Sequence, residues 1–95
     1  MMHAPAFSKE DIPTVQFKPG DVLSDIEEIN QRRTDLEKAM RIGNNEHGKV
    51  KIIFETTKGI FHVDTTVWSV TQNNVMLKSS NIIPIRSIHQ VSFFE

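Results

Sequence analysis

The chain has 95 residues, a formal net charge of −1 and no cysteine. This length predicts a single domain, and the missing cysteines exclude disulfides, thiol nucleophiles and cysteine-ligated zinc. The near-neutral charge excludes a basic field over the whole molecule, and no apolar run or leading segment has the pattern of a membrane span or a secretion signal, so we expect a cytoplasmic protein.

The composition of residues 1–20 predicts a flexible arm that stays outside the core. Three of the four prolines lie in this segment, and its apolar residues fit neither a helical nor a strand period. Residues 15–17 form one short edge strand at most. Phe7 and Phe17 belong either to a loosely attached tail, the interpretation we favour, or to a contact with a neighbouring subunit. The folded domain then covers residues 21–95.

A helix is predicted over about residues 24–42. The sequence Ser24-Asp25-Ile26-Glu27 has the form of a capping box, in which Ser24 accepts from the Glu27 backbone N–H and the Glu27 side chain reaches back to Ser24. Gly43 is the expected residue just beyond the end of the helix. Four apolar residues share one stripe at helical spacing, namely Ile26, Ile29, Leu36 and Met40.

One cation, Arg33, lies on the same predicted stripe. Either its aliphatic stem covers apolar surface while the guanidinium reaches water, or the guanidinium pairs with a carboxylate across an interface. We favour the first interpretation, because long cationic side chains commonly cover apolar surface in this way.

Residues 49–94 predict five short strands in an antiparallel meander. The segment is rich in β-branched and aromatic residues and has turn residues at close intervals. The second strand, 60–70, has apolar groups on both faces of its latter half, which predicts a bend near 64–66. Pro84 cannot donate to a ladder, so the fourth strand ends there or lies at an edge, and residues 86–88 form a tight turn.

This pattern resembles the Sm-like family, including its bacterial RNA-chaperone branch. The resemblance implies an N-terminal helix on a mainly β, α+β domain that closes as a small bent barrel, Sm-like or SH3-like; a curled open sheet is the alternative. It also implies rings formed by strand-edge pairing. It rests on Val50-Lys51-Ile52-Ile53-Phe54, Lys58-Gly59-Ile60, Val75-Met76-Leu77-Lys78 and Ile85-Arg86-Ser87-Ile88-His89-Gln90-Val91.

Arg86 occupies the place of the family's nucleotide-contacting arginine, so the resemblance implies that Arg86 contacts RNA. The chain departs from the family at three points. Ser87 replaces the glycine of that motif, Val63 and Asp64 stand where the bent strand has a glycine, and no asparagine follows Asp64 at the family's spacing.

No catalytic or cofactor-binding motif is present, so we expect neither an enzyme nor a cofactor. His62 and Asp64 point the same way on a strand, but two ligands do not make a zinc site. We expect a surface polar pair and no bound metal.

A non-catalytic interaction module that forms homo-oligomers is the function we expect, because oligomerisation adds burial to a small core. Single-stranded RNA binding of Sm-like type is the alternative. Candidate interface residues are Ile60, Trp68, Val70, Phe93 and Phe94. Candidate contacts with nucleic acid or a partner are Arg86, Lys49, Lys51, Lys58 and Trp68, with Trp68 as a stacking surface unless it is buried.

Overall fold

The computed structural model of the chain describes residues 3–94. Residues 1–2 of the predicted arm and residue 95 of the predicted domain therefore lie outside the described residues. Within residues 3–94, the structure has a 3₁₀ helix at Lys9–Thr14, helix α1 at Ile26–Glu46, and six strands: β1 Val50–Thr56, β2 Gly59–Thr65, β3 Val67–Val70, β4 Asn74–Leu77, β5 Ile82–Pro84 and β6 Ile88–Phe93.

The predicted α+β architecture, a helix followed by antiparallel strands, is confirmed. The strands of residues 3–94 form two sheets of three, in the orders β2-β1-β6 and β3-β4-β5. Strand pairing does not join these sheets into a closed barrel, so the open alternative describes them better. Strand β5 ends at Pro84, and a single 3₁₀ turn, Ile85–Ser87, follows before β6.

The predicted bend in the second strand is confirmed, and it explains why six strands form instead of five. Thr66 alone separates β2 from β3, and its carbonyl accepts a hydrogen bond from Lys78 N at 2.9 Å. Before the bend, Thr65 pairs with Val50 of the first sheet; after it, Val67 pairs with Leu77 of the second. The bend therefore passes one continuous segment from sheet to sheet.

Helix α1 begins one residue later than a capping box would place it. Asp25 is the N-cap, with its Oδ1 accepting from Glu27 N at 2.8 Å, so the predicted Ser24 cap is wrong. The helix also continues through Gly43 to Glu46 and ends at His47, whose φ of 55° is left-handed. The buried residues of the helix are Arg32, Leu36, Ala39 and Gly43.

Gly43 has a packing role in place of the predicted terminal one. A Cβ on Gly43 would lie 2.1 Å from the Val67 carbonyl oxygen, a separation that real Cβ atoms essentially never show. Only glycine therefore lets the helix backbone approach β3 this closely. The contact fixes the helix against the strand that follows the bend.

Side chains from residues 3–20 join the core, contrary to the sequence-based expectation. Ile12 is 1% exposed, and Phe7 and Phe17 pack against the same core cluster. The ring centroids of Phe7 and Phe54 are 5.7 Å apart, with the planes nearly perpendicular. Phe7 and Phe17 lie outside helices and strands, and Ile12 lies in the short 3₁₀ helix, so no regular period in the sequence marks them.

Backbone hydrogen bonds attach this segment to the first sheet. Phe7 N donates to the His62 carbonyl and His62 N donates to the Pro5 carbonyl, both at 2.9 Å, so one edge of β2 is covered at this point. The predicted edge strand at residues 15–17 is absent from the described structure. Instead, Gln16 O accepts a single bond from Thr57 N at 2.9 Å.

Candidate functional site

The outward face of the β3-β4-β5 sheet carries three exposed apolar side chains. Trp68 is 43% exposed, Met76 is 37% exposed and Ile82 is 49% exposed. These three residues are termed the apolar row. Their neighbours along the strands point inward and are fully buried, namely Val67, Val75, Leu77 and Ile83.

Strand register places the apolar row side by side. Met76 on the central strand is opposite Ile82 on β5 and opposite Ser69 on β3. Trp68 precedes Ser69, at a register shift between Val67 and Ser69. Such a shift puts two residues of one strand opposite one of its partner, which groups Trp68 and Ser69 beside Met76. All three side chains keep more than a third of their surface exposed, so the described residues do not cover this row.

The other candidate interface residues do not lie beside Trp68. Val70 and Phe93 pack against the core cluster, and the Phe93 ring lies under Lys38, with Nζ 4.4 Å from the centroid. Ile60 is half-buried on β2, and Phe94 is exposed just beyond β6. Of the five candidates, Trp68 alone belongs to the apolar row.

A second site, which is polar and is termed the Arg86 depression, lies between the helix and two turns. It has a volume of about 210 Å³. Arg86 is exposed there, and its Nε donates to the Lys18 carbonyl at 2.8 Å. The depression is lined by Asp21, Arg32, Arg33, Gln72, Asn73, Ile85 and Arg86.

Arg33 binds backbone carbonyls, which neither sequence-based interpretation anticipated. Its two terminal nitrogens donate to Thr71 O at 2.8 Å and to Gln72 O at 2.6 Å. The guanidinium thus holds the turn between β3 and β4 against α1. It also brings a second arginine to the edge of the Arg86 depression.

Arg32 is the polar residue that the sequence interpretation missed. It is 5% exposed, and its terminal nitrogens donate to both carboxylate oxygens of Asp21, at 2.9 and 2.7 Å, and to Ile88 O at 2.9 Å. The hydrogen bond from Arg32 holds the pKa of Asp21 below its ordinary value. Because Arg32 begins the buried stripe at positions 32, 36, 39 and 43, a stripe search that allowed one cation could have found it.

The candidate basic contacts are spread over separate parts of the surface. Arg86, Lys49 and Lys58 line three different depressions. Lys51 lies within β1, opposite Asp64 of β2. The structure therefore does not bring the candidate cations together with Trp68 as one basic, aromatic surface.

Glu55 links the N-terminal segment to β6. Its carboxylate lies 2.5 Å from Lys18 Nζ and 2.7 Å from His89 Nε2. The hydrogen bond from Lys18, and then that from His89, lowers the pKa of Glu55. A lowered folded-state pKa stabilises the fold above the unfolded pKa of about 4.3, and this contribution is lost as the pH falls through the folded-state value.

The described residues offer no grouped ligands for a metal. Within residues 3–94, no three histidine or acidic side chains lie together in a way that would hold an ion. His62 Nδ1 instead lies 2.6 Å from the Ala4 carbonyl. No helix in the same range has the length and apolar character needed to cross a bilayer.

A scan against protein-family models, a search of curated proteins and a search of solved structures each found no match to this chain. The geometry of the apolar row and of the Arg86 depression is therefore the basis for the functional argument.

Proposed function

We propose that this protein is a non-catalytic interaction module that forms a homodimer through the apolar row. The observation that carries the proposal is the exposure of Trp68, Met76 and Ile82 on neighbouring positions of one sheet face. Burying apolar surface is favourable by about 25 cal/mol per Å², and aromatic and methionine side chains are enriched in the buried centres of interfaces.

A second copy of the chain suits this face because the row can complement itself. Met76 lies on the central strand, with Trp68 toward one edge and Ile82 toward the other. A twofold axis parallel to β4, lying between the two sheets over Met76, would lay Trp68 of each copy on Ile82 of the other. Two sheets packed this way lie about 10 Å apart and interdigitate their side chains.

The test is the molar mass in solution over a range of protein concentrations. We expect a dimer for the native chain and a monomer for Met76→Lys, because two like charges would meet at the axis. The dimer should weaken at least about 30-fold, the equivalent of a hot-spot loss of 2 kcal/mol.

Gln90→Lys is the matched control, since Gln90 is an exposed strand residue on the other sheet. It adds the same charge and should leave the dimer intact. A native chain that stays monomeric at its highest soluble concentration would remove the proposal.

Single-stranded RNA binding is a second candidate function, favoured by the Arg86 depression. Arg86 and Arg33 converge there with the amide side chains of Gln72 and Asn73, and one carboxylate, Asp21, is already paired with Arg32. Guanidinium groups bind phosphate oxygens through paired hydrogen bonds. The convergence of arginines and amides suits contact with a nucleotide.

Binding of short RNA oligonucleotides should be salt-dependent and should weaken in Arg86→Ala. Loss of one phosphate contact should reduce the slope of log K against log salt by about 0.7. Arg41→Ala removes an exposed cation of α1 that does not line the Arg86 depression, and it serves as the control. Absence of binding at low salt would end this second candidate.

A further inference from the structure

We propose that a depression beside the turn between β4 and β5 binds the phosphate group of a small phosphorylated molecule. It has a volume of about 470 Å³ and is termed the lysine pocket. Neither the apolar row nor the Arg86 depression shares a residue with it. It is lined by Lys9, Glu10, Lys49, Lys78, Ser79 and Asn81.

Three separate segments bring the lysines to this pocket. Lys9 begins the first 3₁₀ helix, Lys49 precedes β1 and Lys78 follows β4. Asn81 Nδ2 donates to the Lys9 carbonyl at 3.2 Å, which ties the N-terminal segment to the turn. The convergence is therefore fixed by tertiary structure and is not a run of charge along the chain.

The pocket has an excess of positive charge. Its three lysines and one glutamate give a net charge of +2, and the Glu10 carboxylate already accepts from Ser8 Oγ. Within residues 3–94, none of the three ammonium groups lies within 4.0 Å of a carboxylate. Like charges around one depression repel, and a bound anion would offset that repulsion.

The turn itself has an unusual backbone conformation. Ser79 (φ 69°, ψ 21°) and Ser80 (φ 63°) are both left-handed, which is unfavourable for residues other than glycine. Hydrogen bonds from Leu77 N to Asn81 O at 2.7 Å and from Lys78 N to Thr66 O at 2.9 Å hold the turn in place. Backbone N–H groups in some turns form concavities that bind anions, so the N–H groups of this turn are candidate donors to the phosphate.

Charge and size together indicate the chemical class of the ligand. A phosphomonoester carries a charge of about −1.5 to −2 at pH 7 and three acceptor oxygens, which matches the pocket's charge and its several donors. The volume exceeds what phosphate alone fills and falls within the range of about 300–1,000 Å³ for small-molecule sites. A small organic phosphate therefore fits better than the bare ion.

The experiment is an amide chemical-shift titration of the full chain at constant ionic strength. The probes are inorganic phosphate and glycerol 2-phosphate, and a separate titration with sodium chloride, in which the ionic strength rises, is the control. We expect saturable shifts of the Ser79 and Ser80 amides with both phosphates, with tighter binding of glycerol 2-phosphate and no such response to chloride.

Lys78→Ala and Lys49→Ala remove exposed side chains and should each weaken binding about tenfold, the scale of one charged hydrogen bond. Lys58→Ala is the matched control and should bind like the native chain. Equal shifts with chloride, unchanged affinity in Lys78→Ala, or shifts confined to the residues around Arg86 would each overturn the proposal. The proposal would also be overturned if the Ser79 and Ser80 amides shifted with single-stranded RNA and with neither phosphate.

Discussion

Replacing Gly43 with alanine is expected to destabilise the protein by about 3 kcal/mol or more, the upper end for an overpacked core. In an exposed helix interior the same change would stabilise by about 1 kcal/mol, because alanine has the higher helix propensity. Here the added Cβ would meet the Val67 carbonyl at 2.1 Å, and a backbone atom of a core strand cannot rotate away. Either α1 must shift from β3 or the strand must distort.

Two other glycines give matched controls for Gly43→Ala in denaturant unfolding. Gly20 has no atom within 4 Å of a built Cβ, so Gly20→Ala should leave the free energy of unfolding nearly unchanged. At Gly48 the nearest atom, 2.6 Å away, is the Cγ2 methyl of Ile42, a side-chain atom and not backbone, so the loss should be smaller than at Gly43. Native-like stability of Gly43→Ala would show that the helix does not contact β3 as described.

Asp21→Ala is expected to cost about 3 kcal/mol, the low end of the range for breaking a buried ion pair. The low end applies because the Asp21 side chain is 34% exposed while that of Arg32 is 4% exposed. Without Asp21, the buried guanidinium keeps its bond to Ile88 O and loses both hydrogen bonds to its charged partner. The free energy of unfolding measured at pH 7 provides the test.

The double variant Asp21→Ala/Arg32→Met separates loss of the pair from burial of an unpaired charge. Removing both charges should recover much of the stability, since an apolar side chain suits the buried stripe of α1. Asp35→Ala is the surface control, because Asp35 makes a single side-chain bond, from Gln31 Nε2 at 2.9 Å. If the double variant were no more stable than Asp21→Ala, the cost would not come from an uncompensated charge.

Local chemistry made several parts of the fold predictable from the sequence. The helix, the antiparallel order of strands, the bend near Thr66 and the end of β5 at Pro84 each follow from residue patterns within a few positions. The helix ends were misplaced because Asp25 takes the capping role and because Gly43, which looks like a terminator, fills a close contact with a distant strand.

Long-range contacts explain what the sequence did not reveal about the core. Ile12 is buried from a segment whose proline content and irregular spacing are typical of loops. Arg32 was missed because a cation in a buried stripe makes sense only once Asp21 and the Ile88 carbonyl are placed beside it. Both features depend on residues that the tertiary fold brings together.

The candidate site was predictable only in part for the same reason. Trp68 and Arg86 were singled out from the sequence, but Met76 and Ile82 were not. An apolar strand residue on an open face has the same local pattern as a buried one until the strand pairing and the packing of α1 are known. The structure supplies that information, and with it the partners of Trp68.

The most direct test of the proposed homodimer is the molar mass of a mixture of Met76→Lys and Met76→Glu chains. If residue 76 of each copy meets its counterpart at the twofold axis, each variant alone should be monomeric, because like charges face each other. The mixture should then form a one-to-one dimer, because opposite charges meet there. A mixture that remains monomeric, or single variants that remain dimeric, would contradict assembly through the apolar row.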